Sequence, residues 1–395
     1  MTESTKKPRL AFVISHPIQY YAPIYQHLAR LDDIEIKVFF TWHAGQSQVH
    51  DRGFGKSFAW DIPLTDGYEF ELVPNISQEP GTHRFFGLRN PQLVQRVLAW
   101  KPDAVLLTGW AWFSNVALMH ALRNSKVKLL FRGDSHLLDN NQSGPRWWAK
   151  REVLKRIYQW PDLFFVTGQA NRDYYRAFGV RDDKLTPCPH SIDVARFAAP
   201  AFEEEALRWR VDLGIDPDQV VVLFAGKFEP KKRPLELMRA LRQINAANCV
   251  GVMVGDGPLK AQVDGIAAEQ PHMFRVLPFQ NQSRMPIVYR LGDLFVLPSA
   301  YDETWGLAVN EAMASERAVL VSDKVGCAED VVDARSGCIY RSDGPGALVT
   351  ALKELIADKA KLAAMGKAAG ARAWRFDTAV VAQTIAGTVA GIKSR

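Results

Sequence analysis

Two carboxylates eight residues apart, Glu303 and Glu311, flank a glycine in the stretch YDETWGLAVNEAMA, residues 301–314. The preceding DLFVLPS is a short apolar run ending in Pro-Ser, which reads as a buried parallel strand. GLAVNEAMA is rich in helix formers and free of proline. Glu303 is therefore expected in a loop after a strand, with Gly306 opening a helix. Such a junction is where open α/β sheets bind ligands and where helix N-termini hold anions. A second group of reactive residues lies in FAGKFEPKKRP, residues 224–234, where Lys227 and Lys232 flank a turn containing Pro230. Two ammonium groups at a strand end can neutralise a diphosphate leaving group. The same lysines also suit an ordinary solvated loop. VGDGPLK carries Gly255 and Gly257, but Lys260 stands where a dinucleotide fingerprint needs its third glycine. That turn either lets backbone approach a nucleotide or is purely structural.

These junctions need a sheet to hold them. Strand-like runs alternate with helical patterns: RLAFVIS, APIYQHLARL and IEIKVFF, then DAVLLTG, VKLLF and LFFVTG with helical stretches between. The alternation implies a parallel sheet with helices on both faces. TPCPHSIDVARFAAPAFEEEA, from Thr186, has three prolines and no sustained periodicity, and marks a boundary near Ser191. The alternation restarts with VVVLFAG, CVGVMVG, FRVLP, LFVLPS and AVLVS, and helical patterns run from Gly346 to Lys393. The reading is an α/β protein of two Rossmann-like, doubly wound domains facing a cleft, residues 1–191 and 192–375. Residues 43–70 break the rhythm with aromatic and turn residues, the mark of a long ordered loop.

The 395 residues allow two full cores, and 47% hydrophobic content fits a globular protein. A net charge of +6 permits an anionic partner, a nucleotide or an anionic membrane, without requiring one. No long block of like charge points to nucleic acid. Cys188, Cys249, Cys327 and Cys338 form no C-x-x-C pair, which disfavours a zinc site or disulfide framework and fits a reducing cytoplasm. The first apolar run is too short for a secretion signal. Residues 104–122 contain no Asp, Glu, Lys or Arg and mimic a membrane span. Thr108, Gly109, Ser114, Asn115 and His120 interrupt them, so strand, loop and buried helix are expected. Residues 145–161, PRWWAKREVLKRIYQWP, combine Trp147, Trp148 and Trp160 with five basic residues. Trp148 faces away from the apolar side while Arg146 and Lys150 intrude on it. The segment is either a peripheral contact with the inner membrane or an ordinary packed helix.

In their order along residues 220–354, the motifs of the second half resemble glycosyltransferase family 4, enzymes of the GT-B fold that use nucleotide-sugar donors. The resemblance rests on Gly226-Lys227 with Lys232, Gly255-Asp256-Gly257, Pro298-Ser299, the E-x(7)-E pair Glu303 and Glu311, and Ser322-Asp323 with Gly326. It implies that Glu303 binds donor-sugar hydroxyls and that Glu311 accepts hydrogen bonds from the ribose diol. Backbone N–H groups across Thr304, Trp305, Gly306, Leu307 and Ala308 would meet the phosphates. Lys227, in the loop opened by Gly226, and Lys232 would stabilise the leaving diphosphate, with Phe279 and Gln280 near the base. The last helix, within 376–395, would cross back to the first domain, which takes the acceptor.

The first domain departs from the family pattern. Where many relatives carry a Gly-Gly pair, SHPIQYYAP offers His16, Pro17 and Gln19. Relatives often place a histidine facing the reacting carbon; LLFRGDSHLLDN offers Arg132, Asp134 and His136, each either catalytic or a satisfied loop residue. His190-Ser191 stands where Asn-Gly often precedes the linker. The implied activity is retaining transfer of a sugar to a glycan or lipid-linked acceptor, in bacterial surface polysaccharide or glycolipid synthesis. It would take place in the cytoplasm or peripherally at the inner membrane, with no cofactor and no metal. The DVVD at 330–333 falls in an expected helix rather than at a strand end. The alternatives are a nucleotide-sugar epimerase of the same fold and a non-catalytic sugar-nucleotide-binding partner of another transferase.

Overall fold

The apolar runs form the strands of two parallel sheets. The computed structural model describes residues 7–42, 49–51, 56–139 and 144–392. Its strands are Arg9–Ile14 (β1), Glu35–Phe40 (β2), Val49–Asp51 (β3), Lys56–Phe58 (β4), Phe70–Leu72 (β5), Ala104–Thr108 (β6), Lys128–Arg132 (β7), Leu163–Val166 (β8) and Leu185–Pro187 (β9). They continue with Val220–Ala225 (β10), Cys249–Val254 (β11), Phe274–Leu277 (β12), Leu294–Leu297 (β13), Ala318–Ser322 (β14) and Gly337–Tyr340 (β15). Met1–Gln48, Pro63–His190 and Thr378–Arg395 group into one unit, and Val49–Ile62 with Ser191–Asp377 into a second.

The sheet of the first unit has the order β5-β2-β1-β6-β7-β8-β9, with every pair parallel. β1 shows how both faces fill. Leu10, Phe12 and Ile14 enter one core cluster and Ala11 and Val13 another, as the two-residue period of a strand dictates. Burial on both faces is why such strands read as unbroken apolar runs. The helix Thr378–Ala390 packs beside Ala22–Arg30 and adds Val381, Ala382, Ile385, Ala386 and Val389 to the first cluster. Residues 104–122 divide into β6, a turn with Gly109 at φ 75°, and the helix Phe113–Leu122. Among the described residues no helix is long and apolar enough to cross a membrane.

The sheet of the second unit is also wholly parallel, in the order β12-β11-β10-β13-β14-β15. It grows outward from β10 in one direction and then restarts on the other side with β13. The order therefore reverses between β10 and β13, and a crevice at the carboxyl ends of those two strands follows from that reversal.

One segment sits differently from the sequence expectation. Residues 49–62, expected within an N-terminal domain of 1–191, group with the second unit. The reason is polar. Asn281 Nδ2 donates to the Ala59 carbonyl at 2.8 Å, and the Ser283 N–H donates to Asp61 Oδ1 at 3.0 Å. β3 and β4 pair antiparallel within this segment. Of the expected long loop at 43–70, residues 43–48 and 52–55 lie outside the described residues.

Gly255 decides how closely the turn after β11 approaches the turn after β10. It has φ +151°, and a Cβ there would lie 1.9 Å from the Gly226 carbonyl oxygen. Gly255 thus has a packing role. Gly255→Ala should destabilise the protein by about 1–3 kcal/mol, the cost of a strained backbone position. Urea unfolding measures this, and an unchanged midpoint would show that the turn yields freely.

Candidate functional site

The loop after β10 carries Gly226, Lys227 and a 3₁₀ turn, Pro230–Lys232. Arg233 then takes a left-handed conformation at φ 51° and starts the helix Pro234–Ile244. The loop after β13 carries Pro298, Ser299, Asp302 and Glu303, and Gly306 at φ 92° starts the helix Leu307–Ala314. A Cβ on Gly306 would come within 2.8 Å of Val325 Cγ1, so glycine is needed there for both backbone and space. The two loops are tied by the Ala300 N–H, which donates to the Lys231 carbonyl at 2.8 Å.

Lys232 and Glu303, 71 residues apart, form an ion pair across these loops through Glu303 Oε2. Ser299 Oγ donates to the same oxygen at 2.9 Å. Both partners are mostly withdrawn from solvent, with side chains 17% and 12% exposed. Beside them Lys231 pairs with Asp302 at 3.1 Å. Burial pulls the Lys231 ammonium down, but the hydrogen bond and charge of Asp302 outweigh it and leave the group above its ordinary value. Lys227 is half-buried in the same loop.

The chain after β14 laces the Glu303 loop from beneath. The N–H groups of Gly326 and Cys327 donate to the carbonyls of Glu303 and Trp305, each at 2.9 Å. A Cβ on Gly326 would meet the Thr304 carbonyl oxygen at 2.0 Å. Ser322 Oγ donates to the Ser299 carbonyl. The Ser-Asp-x-x-Gly pattern of the sequence is thus the brace of this loop.

Glu311 is only 2% exposed. The Tyr289 hydroxyl donates to its Oε2 at 2.6 Å. The indole of Trp305 is buried, with its N–H on Asn310 Oδ1 at 2.9 Å, so this residue can offer a ligand only its backbone. Leu307 and Ala308 are half-buried at the helix start. Phe279 and Gln280 are half-buried after β12, where Gln280 Nε2 donates to the Pro278 carbonyl at 3.1 Å. Among the described residues no group of three or more His, Cys, Asp or Glu is placed to hold a metal ion. Asp333 instead accepts from the N–H groups of Arg335 and Ser336 and pairs with Arg372 at 3.2 Å.

In the first unit Arg132, read as a candidate for the reacting centre, is 2% exposed. Its Nη1 donates to the Cys188 carbonyl at 2.8 Å and its Nη2 to the Pro189 carbonyl at 3.0 Å. These bonds tie the end of β7 to the chain beyond β9. Asp134 is exposed nearby. His136 is half-buried; its Nδ1 accepts the Leu138 N–H at 3.2 Å. Its Nε2 is buried and has no hydrogen-bond partner among the described residues. Burial, reinforced by the Arg132 charge, lowers His190 to about 3, and burial lowers His16 to about 4. His16 lies after β1 with Ser15 Oγ 2.9 Å from its Nδ1.

Two features escaped the sequence reading. Tyr289, in PIVYRLGD, looks like any core aromatic. The other is an exposed aromatic patch. Phe85, Phe86 and Phe113 have ring centroids 5.0, 6.2 and 5.7 Å apart, and Phe86 is 59% exposed. Asn75 shapes the patch's loop, its Nδ2 donating to the Gly87 carbonyl at 2.8 Å and its Oδ1 accepting from the N–H groups of Ser77 and Arg89. The Phe-Phe pair inside a turn-rich stretch was the available signal.

Two parallel, doubly wound units in one chain, the second with a lysine–glutamate cluster at its reversal point, define a protein of the GT-B fold class. Residues 206–372 match the family model described as glycosyl transferases group 1, and residues 63–190 match the glycosyl transferase 4-like domain. The chain belongs to this family of glycosyltransferases. The D-inositol 3-phosphate glycosyltransferase of Nocardia farcinica is 31% identical over 228 residues, covering 55% of this chain and 49% of the relative. That of Streptomyces scabiei is 28% identical over 283 residues, 68% of this chain and 61% of the relative. The chain thus spans about half the length of the curated relatives it matches. Among solved structures, HepE of Anabaena in complex with UDP and glucose superposes with a TM-score of 0.70 at 17% identity, over 98% of this chain and 100% of that one. A glycosyltransferase from Rickettsia africae gives 0.74 at 14%, with the same coverage. At these identities the likeness is one of fold.

The cluster itself yields a stability test. Lys232→Ala leaves the withdrawn Glu303 carboxylate without its cation and should cost about 1–3 kcal/mol in urea unfolding. Adding Glu303→Gln should recover part of that loss, because no charge is then stranded. Strict additivity of the two changes would mean that the pair is not energetically coupled.

Proposed function

We propose that this protein is a retaining glycosyltransferase that moves a sugar from a nucleotide-sugar donor to a glycan or lipid-linked acceptor. The observation that carries the proposal is the Lys232–Glu303–Ser299 cluster at the reversal point of the second sheet, with Glu311 on the helix that follows. In this reading the donor diphosphate lies against Lys227, Lys232 and the N-terminus that Gly306 opens. Glu303 holds hydroxyls of the sugar, and Glu311 holds the ribose. The bond between the anomeric carbon and the phosphate oxygen breaks as the acceptor oxygen bonds to that carbon from the same face. The acceptor proton passes to the leaving phosphate oxygen. Positioning and charge stabilisation then supply the catalysis, and no strong general base is needed. The first unit takes the acceptor, and the Nε2 of His136 is suited to hydrogen-bonding a hydroxyl there.

Acceptors of surface polysaccharide and glycolipid synthesis are amphiphilic or membrane-bound, and two features of the first unit fit them. The helix Pro145–Ile157 presents Trp148, 55% exposed, with the Arg151 guanidinium 5.3 and 5.2 Å from the Trp147 and Trp148 rings. Lys150 lies 5.5 Å from the ring of Trp110, on the loop that leads to Phe113 and its patch. A basic and aromatic surface of this kind suits peripheral contact with an anionic bilayer.

The proposal is tested in two steps. A thermal-shift screen of nucleoside diphosphates and sugar nucleotides identifies the donor, since a ligand that binds only the folded state raises its melting point. The UDP held by HepE makes uridine the first base to try. Glu303→Ala should then abolish most transfer while leaving affinity for the free diphosphate nearly intact. Glu311→Ala should weaken that affinity by about 1–3 kcal/mol, the cost of hydrogen bonds to a charged group. Equal loss of nucleotide affinity in the two variants would overturn this division of roles. For the membrane contact, anionic vesicles should co-sediment the protein, less so in high salt. Unchanged co-sedimentation after Lys150, Arg151, Lys155 and Arg156 are replaced by glutamate would exclude that helix.

A further inference from the structure

We propose that Tyr289 is a positioning residue for the nucleotide: it aims the Glu311 carboxylate at the ribose without touching the ligand. The proposal rests on the ribose role of Glu311 given above.

Tyr289 sits on the helix Met285–Arg290 and is 1% exposed. Its ring is packed edge-on against Phe295 of β13, with centroids 5.5 Å apart, and against Phe197 at 6.0 Å. The ring is therefore fixed from two sides, and its hydroxyl has a set direction. That direction is Glu311 Oε2, at 2.6 Å. The length falls in the range of an O–H···O bond, about 2.5–3.0 Å.

Packing alone does not call for this pair. A carboxylate withdrawn from water is costly, and a phenylalanine facing an apolar residue would fill the same space more stably. A buried tyrosine hydroxyl needs a partner, but a backbone carbonyl would satisfy it. The pair makes sense if the carboxylate has a use. A hydrogen bond to one oxygen fixes the plane of the group and hence the direction of its remaining lone pairs. Glu303 is treated in the same way by Ser299 at its own Oε2. Each of the two glutamates is thus held by a hydroxyl from a neighbouring element.

A ligand-side comparison separates orientation from structure. UDP and 2′,3′-dideoxy-UDP differ only in the diol that Glu311 is to bind. Calorimetric titration of the full chain should show Tyr289→Phe weakening UDP about tenfold, as for loss of one hydrogen bond to a charged group. The dideoxy compound should lose less than about twofold, since the contact it lacks is the one being disturbed. Glu311→Ala should show the same selective loss. Equal weakening of both ligands by Tyr289→Phe, or no weakening, while Glu311→Ala remains selective, would overturn the positioning role alone. No selectivity in Glu311→Ala would overturn the ribose reading beneath it. If Tyr289→Phe folds poorly, the Glu311→Gln background removes the stranded charge. There, adding Tyr289→Phe should cost no further discrimination, and a further loss would reject the proposal.

Discussion

A parallel sheet that begins in its middle must send its connections to opposite faces when it changes direction. In the second unit that change falls between β10 and β13, and the loops leaving the two strands separate around it. The backbone bond from Ala300 to Lys231 and the ion pair from Glu303 to Lys232 close over this gap. Because the strands are fixed by the sheet, the loops can carry charge in a sparsely hydrated place without collapsing. The Lys232–Glu303–Ser299 cluster depends on that one topological constraint.

Glycines then set the distances. Gly255, Gly306 and Gly326 each bring backbone or side chain closer than any Cβ would allow. Gly326 lets the chain after β14 hydrogen-bond directly beneath Glu303, and Gly306 turns the chain into its helix at once. The polar groups there are held by main-chain contacts, ion pairs and single hydroxyls. Such preorganisation is what a reaction driven by electrostatic stabilisation requires.

Much of this was legible in the residue order, and the reasons are physical. β10 and β11 are buried on both faces, so VVVLFA and CVGVMV stand out as unbroken apolar runs. The strand–loop–helix around Glu303 was legible because Pro-Ser, Gly306 and a proline-free run punctuate it. What was not legible depended on distant partners. Residues 49–62 hydrogen-bond to the Asn281 side chain and the Ser283 N–H of the second unit, more than 200 residues away. Arg132 stood out because it falls where relatives often place a histidine, but its carbonyl partners lie 56 and 57 residues further on. Tyr289 carries no local mark, since a packed aromatic and one that orients a carboxylate have the same neighbours in sequence.

The helix Thr378–Ala390 has a consequence for the order in which the chain can fold. It supplies five side chains to a cluster whose other members begin at Leu10. During synthesis the first unit therefore emerges early, but this helix can join it only after the chain has passed residue 390. Most of the second unit, running continuously from Ser191 to Asp377, is complete before that. Domains commonly fold in the order they are made. Here the unit made first is the last to be completed, because the partner of Ala22–Arg30 is made after all the rest of the fold.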